Sequence, residues 1–254
     1  MTKTQQGSVT TAIENNIATI TFFHPSHNSL PSKVLANLST AITAMGEDES
    51  VIVIILKSEG DRTFCAGASF DELAAINDFE TGKKFFMGFA NVINACRKCP
   101  KLIIGRVQGK SVGGGVGLAS AVDYCLATQH AAIKLSELAI GIGPFVVGPA
   151  VARKIGESAM SQLAINATEW ESAQWAKNKG LYAEVYDSVE NMDAAIQTLA
   201  TKLANSNPEA MRLLKQVFWE GTAHWDKLLA ERAAMSGHLV LSDFTRKAIA
   251  KFRT

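Results

Sequence analysis

The segment LIIGRVQGKSVGGGVGLASAV, residues 102–122, constrains the fold of this chain more than any other stretch. Its first six residues form an apolar run of strand length. Gly109 and the triplet Gly113, Gly114 and Gly115 allow a tight turn, and VGLASAV then continues as a helix of small residues. A second turn of this kind lies upstream in FCAGASFDEL. There Ser69 and Glu72 have the spacing of a capping box, so a helix is expected to begin immediately after Ala68. Each turn leaves a backbone amide, that of Ala68 or Gly114, close to a helix N-terminus, where developing negative charge is favoured. Two such donors aimed at one point form an oxyanion hole. The residues alone leave open a second reading, in which the glycine triplet only permits close packing.

The flanking sequence supplies the rest of an α/β pattern. Residues 9–13 and 17–23 alternate apolar and polar around Asn15 and Asn16, which predicts a β-hairpin. Val34, Leu35, Leu38, Ile42 and Met45 recur at helical spacing, and residues 51–56 then form an apolar strand. Short strands are expected at 124–128 and 131–135. Beyond them helical patterns dominate: residues 170–179 ending at Gly180, and a helix opened by Asn207 and Pro208 with Met211, Leu214 and Phe218 on one face. Trp219, Trp225, Leu228 and Leu229 read as exposed apolar residues of a helical extension that docks on the core or on another subunit. The division expected is a core over residues 1–195 and a helical region over 196–254.

Charge and composition exclude several functions. Twenty-five basic against twenty-four acidic side chains leave a net charge of +1, so no global field gathers nucleic acid or an anionic membrane. The apolar runs fall far short of the roughly 20 residues that span a bilayer. The opening residues MTKTQQGSVTTAIENN lack the apolar core of a signal peptide, making the cytoplasm the expected compartment. Cys65, Cys96, Cys99 and Cys125 are expected as free thiols. Cys96 and Cys99 form a C-x-x-C, but no second pair or histidine cluster completes a zinc site, so no metal is expected.

GDRTFCAGASFDEL, then VQGKSVGGGVGLASAVDYCLAT, then KLSELAIGIGPFVVGPAVARKIG, in that order, resemble the enoyl-CoA hydratase/isomerase (crotonase) superfamily. Supporting matches run from HPSHNSL through ATEWESAQWAKNKGLYAEVY to NPEAMRLLKQ, so the resemblance covers essentially the whole chain. It implies the ClpP/crotonase-like fold, a spiral of ββα units followed by helices that mediate assembly into a homotrimer or a hexamer of two trimers. It also implies an acyl-CoA thioester substrate, with the carbonyl held by the amides matching Ala68 and Gly114, and no cofactor beyond the CoA ester itself.

Members of the best-known hydratase type carry two catalytic glutamates. The place of the first is Gly117 here, and the second is matched by Glu137, which stands among Leu138, Ile140 and Ile142. Partial desolvation there is expected to raise its pKa toward the range useful for proton transfer. Three activities fit. Glu137 alone could guide and deliver water to a 2-enoyl-CoA, as in the bacterial methylglutaconyl-CoA hydratase branch, which GGGVGL and IGPFVVGPAVARKIG also resemble. It could move a proton from the α- to the γ-carbon as a Δ3,Δ2-enoyl-CoA isomerase. The third is an acyl-CoA binder with little turnover. Hydration is the reading adopted, with 3-methylglutaconyl-CoA as one candidate substrate.

Resemblance assigns CoA contacts to Ser26, His27, Ala66, Gly113 and Phe252, the last matching a late adenine-stacking phenylalanine. His27 is read as a loop residue and not as a base. Ser69 and Asp71 replace an acid and a CoA-contacting lysine frequent in the family, and Lys247, Lys251 or Arg253 could substitute for a missing basic segment. Phe64, Leu73 and Phe145, with Ile76, Met87 and Val146, are the candidate acyl-pocket residues. Asp123 and Glu169 are weaker candidates for a second acid, Asp123 matching a structural position of the family.

Overall fold

The structure, a computed structural model, describes residues 7–251. Strands β1 (Ser8–Glu14) and β2 (Ile17–Phe23) pair antiparallel, Thr11 opposite Ile20. Asn15 and Asn16, at φ 51° and 63°, make the two-residue turn, the left-handed conformation that asparagine tolerates and that matches the twist of a hairpin. The chain then winds through repeated turns. Each places one strand in a large sheet, a short strand in a small sheet, and a helix behind them.

The first turn adds β3 (Ser29–Leu30) and α1 (Ser32–Glu47). The second runs through β4 (Val53–Ser58), β5 (Thr63–Cys65), β6 (Gly67–Ala68), α2 (Phe70–Ala75) and α3 (Phe79–Lys98). The third is β7 (Leu102–Val107), β8 (Lys110–Val112) and α4 (Gly114–Ala121). The fourth is β9 (Tyr124–Thr128), β10 (Ile133–Lys134) and α5 (Gly148–Ile165). Helix α6 (Ala173–Asn178), strand β11 (Glu184–Tyr186) and helix α7 (Val189–Ala204) follow. The large sheet has the order β1-β2-β4-β7-β9-β11, parallel after its first pair. β10-β8-β5 and β3-β6 form the two small sheets. This is the ββα spiral expected of the crotonase fold.

A parallel sheet buried on both faces needs continuous apolar strands, and β4 and β7 have them. Val53, Ile55 and Ile104 face Met192 and Ile196 of α7, while Ile54, Leu56 and Ile103 face the main core. Helix α4, built from GGVGLASA, is buried at every residue, which only small and apolar side chains permit. The expected boundary after residue 195 falls inside α7, whose packing on the sheet places it with the spiral. The remaining helices are α8 (Pro208–Phe218), α9 (Trp225–Leu239) and α10 (Asp243–Lys251), packed on the spiral.

Other expectations change in the folded chain. The capping box forms by half. Glu72 N–H donates to Ser69 Oγ at 3.3 Å, but the Glu72 carboxylate accepts from Ser32 N–H (2.9 Å) and Oγ (2.5 Å), tying α2 to the start of α1. Ser172 caps α6, so that helix begins at Ala173 and not at Trp170. Of residues 131–135 only Ile133–Lys134 pair as a strand.

The last helices show the largest correction. Trp219 and Trp225 are buried, with ring centroids 5.8 Å apart edge to face. Leu229 is fully buried and Leu228 half-buried. On α8, Met211 points inward, but Leu214 and Phe218 are exposed together with Leu213 and Val217, and Lys215 takes the buried position. Its Nζ donates to Asp123 Oδ2 at 2.8 Å and to the Lys101 carbonyl at 2.7 Å, with both side chains almost inaccessible. Asp123 also accepts from Trp219 Nε1 (3.0 Å) and Ile103 N–H (2.8 Å). The carboxylate thus fastens α8 and the β7–β9 region together.

Removing one partner of a buried pair leaves an unpaired charge without water. Asp123→Ala is therefore expected to cost about 3–5 kcal/mol in denaturant unfolding. Asp123→Asn combined with Lys215→Met, which removes both charges, should lose less than the single alanine change.

Candidate active site

A cavity of about 520 Å³ opens between α2, α3, the start of α4 and the 3-10 turn Glu137–Ile140. Ala66, Gly67 and Ala68 line one side and Gly113 and Gly114 the next. Phe85, Phe86 and Phe89 from α3, with Phe145 and Val146, supply aromatic and apolar lining. Glu137 and Lys134 are the charged residues of its described lining.

Missing side chains bring these elements together. Gly113 adopts φ 52° and donates its N–H to the Lys134 carbonyl at 2.9 Å. A Cβ there would stand 2.8 Å from Glu137 Oε1. Gly67, at φ 92°, lets the β6 backbone approach β8 and α4: its Cβ would lie 3.2 Å from the Val112 carbonyl and 3.7 Å from Gly114 N. The segments carrying Ala68, Gly114 and Glu137 therefore meet at backbone distance. Gly114 opens α4, where the first N–H groups have no intrahelical acceptor. Just after β6, Ser69 N–H donates to Leu30 O, and the alternation of strand amides turns that of Ala68 away from β3.

Glu137 carries the unusual electrostatics of the site. Its Oε2 is buried with no hydrogen-bond partner among the described residues. Burial pushes the carboxyl pKa up to about 7, with its own backbone amide pulling weakly the other way. Position 117 is closed as well as empty of a carboxylate. A Cβ on Gly117 would stand 2.5 Å from Val147 Cγ1, so valine occupies the space a side chain there would need. Asp123 is consumed by its ion pair, and Glu169 is an exposed residue that accepts from its neighbour Thr168. Neither lines the cavity.

Of the other expected residues, Ala66, Leu73, Phe145 and Val146 line the cavity. Phe64 does not. It is buried in the core against Phe22, centroids 5.3 Å apart at 72°. Ile76 and Met87 do not line it either: Ile76 packs behind the wall with Leu73, Phe85 and Ile142, and Met87 packs against the main core. Ser26 and His27 sit in an exposed turn outside the cavity. That turn is stitched to the site by Asn28, whose side chain donates to the Glu59 and Thr63 carbonyls and whose own carbonyl accepts from Ala66 N–H. Phe252 and Arg253 lie outside the described residues. Lys134, Val147, Trp170 and the phenylalanines of α3 were not singled out by sequence. The i, i+4 spacing of Phe85 and Phe89 was the available signal for the last of these. All four cysteines are free and buried, and burial holds the Cys65, Cys96 and Cys125 thiols up at about 12. Among the described residues no three His, Cys, Asp or Glu cluster to hold a metal ion, and no helix is long and apolar enough to cross a membrane.

Residues 12–252 match the family model described as enoyl-CoA hydratase/isomerase. The mouse mitochondrial methylglutaconyl-CoA hydratase is 33% identical over 198 residues, covering 76% of this chain and 62% of that protein, so the chain spans less than two thirds of that relative. A probable enoyl-CoA hydratase of Bacillus subtilis is 27% identical over 96% of this chain and 95% of its own. Among solved structures, an enoyl-CoA hydratase from Bacillus halodurans shares the fold at TM-score 0.88 and 20% identity, over 96% of this chain and 99% of that one. One from Mycobacterium smegmatis superposes at 0.79 with 26% identity, over 92% and 91%. By motif order, spiral topology and the match across almost its whole length, the chain belongs to the enoyl-CoA hydratase/isomerase family.

Proposed function

We propose that the protein adds water to a 2-enoyl-CoA with Glu137 as its single acid/base. The observation that carries this reading is the lone buried carboxylate at the cavity wall, with the second acid's place shut by Val147. The thioester carbonyl lies between the Ala68 and Gly114 amides, and the acyl chain runs along Leu73, Phe85 and Phe145. Ionised Glu137 takes a proton from a bound water as its oxygen adds to C3. The electron pair of the double bond moves onto the thioester oxygen as an enolate, which the two amides stabilise by about 3 kcal/mol each. Glu137 then returns the proton to C2, so that hydroxyl and hydrogen are added and the carboxylate is regenerated. No group beyond the thioester is required.

The exposed apolar face of α8, formed by Leu213, Leu214, Val217 and Phe218, supports self-association, which we assign to the trimer or hexamer implied by resemblance. A cytoplasmic location belongs to the same proposal. Crotonyl-CoA, 3-methylglutaconyl-CoA and a 3-enoyl-CoA, incubated separately, test the reaction. Gain of one water mass on a conjugated ester supports hydration. An unchanged mass with new conjugation from the 3-enoyl ester makes the protein an isomerase, and silence on all three with CoA-ester binding intact makes it a binder.

Glu137→Gln is expected to lower kcat by at least about 100-fold while the protein still binds CoA esters. Because the base must be ionised, kcat/KM should be level above about pH 7 and fall about tenfold per pH unit below it. Stability runs the other way. A carboxyl whose folded pKa lies above its ordinary value stabilises fully below that ordinary value, and the contribution is lost as pH rises through about 7. Thermal melts should therefore show Glu137→Gln above the native chain at pH 8, with the gap closing by pH 5.

A further inference from the structure

Lys134 has an unusual setting. It lies on β10 between the buried Ile133 and Leu135, so strand alternation sends its side chain the other way, to the cavity lining. Its Nζ stands 4.6 Å from the ring centroid of Trp170, itself a cavity-lining residue. Lys110 Nζ, from the neighbouring β8, stands 4.9 Å from the same ring. Neither ammonium forms an ion pair with a carboxylate among the described residues. Two cations held on one indole without an anion create a local positive potential at the cavity wall. Nor does Glu137 supply the counter-charge, since it forms no ion pair with either lysine.

We propose that Lys134, backed by Trp170 and Lys110, is a specificity-determining residue that pairs with a carboxylate on the acyl chain, making acid-bearing acyl-CoA esters the preferred substrate class. The inference rests on the acyl-CoA reading of the cavity. A cavity of about 520 Å³ leaves the nucleotide of a CoA ester outside. What shares it with the thioester is the pantetheine end, which carries no anion, and the acyl chain, which can. Among the described residues, the rest of the lining is mainly apolar and aromatic and offers a carboxylate no other cationic partner. An anionic chain end directed to Lys134 exchanges water for a charge-assisted hydrogen bond.

Binding of two unreactive saturated esters tests this without turnover. Glutaryl-CoA carries a terminal carboxylate and butyryl-CoA does not; both can be titrated calorimetrically into the native chain, Lys134→Met and Lys134→Arg. The native chain is expected to bind glutaryl-CoA about tenfold more tightly than butyryl-CoA, the scale of one hydrogen bond to a charged group. Lys134→Met should bring that ratio to about one, and Lys134→Arg should keep most of it. Equal affinities in the native chain overturn the proposal before any variant is made. Equal weakening of both esters in Lys134→Met also overturns it, since it places the lysine on a phosphate or marks a damaged fold. Hydratase turnover is read separately with crotonyl-CoA, so failure of the reaction reading leaves the binding ratio to decide this one. If neither ester binds, the acyl-CoA reading and this proposal fall together.

Discussion

Helix α4 lies wholly inside the molecule, and the rest of the site is arranged around its lack of bulk. A helix this deeply buried must present small residues on every side, because neighbours approach its backbone from α3, β5, β6 and α5. The same glycines that let it pack bring Gly114 beside Gly67 and leave the space above Gly113 into which the Glu137 carboxylate fits. Close packing of α4 and the approach of the β6 backbone to Gly114 are one arrangement in the folded chain.

The cavity also depends on helices far along the sequence. Asp123, at the end of the turn after α4, is held by Ile103 N–H from the sheet and holds Trp219 and Lys215 from the last third of the chain. The Arg153 guanidinium lies 4.1 Å over the Trp219 ring, and Lys154 donates to the Asp123 carbonyl, so charge and aromatic surface are shared across four segments. With that anchor in place, α9 crosses α3 where Gly82 and Gly237 allow backbone contact. Helix α10 then packs Ile249 against Leu73, Ile76, Phe85 and Ile142, closing the outer side of the cavity wall.

Electrostatically, the site keeps two charged groups in different settings. Glu137 is buried away from water, which raises its affinity for a proton to the range where a carboxyl can both accept and return one. Lys134 rests on the face of an indole, a surface that holds a cation without neutralising it. Under the proposed reading the unpaired carboxylate does the proton chemistry and the unpaired ammonium the recognition; pairing the two with each other would remove both capacities.

Most local elements were legible in the sequence, because strand alternation, helical spacing, Asn-Asn turns and capping side chains act between residues a few positions apart. The hairpin, β7, β9, α1 and the start of α8 follow from those signals, and the ordered motifs were enough to indicate the family and to single out Glu137. What the sequence could not decide is which distant segment covers each face. Periodicity put Leu214 and Phe218 on the apolar face of α8, yet Lys215 is the buried residue, because an aspartate and a carbonyl from other parts of the chain meet it there. Phe64 fills the core while Phe85 and Phe89 line the cavity, Val147 closes the space beside Gly117, and Trp170 gathers two lysines from neighbouring strands. Each of these is a contact between segments remote in sequence, selected by close packing and by the need to pair buried charge, and only the tertiary structure supplies both partners at once.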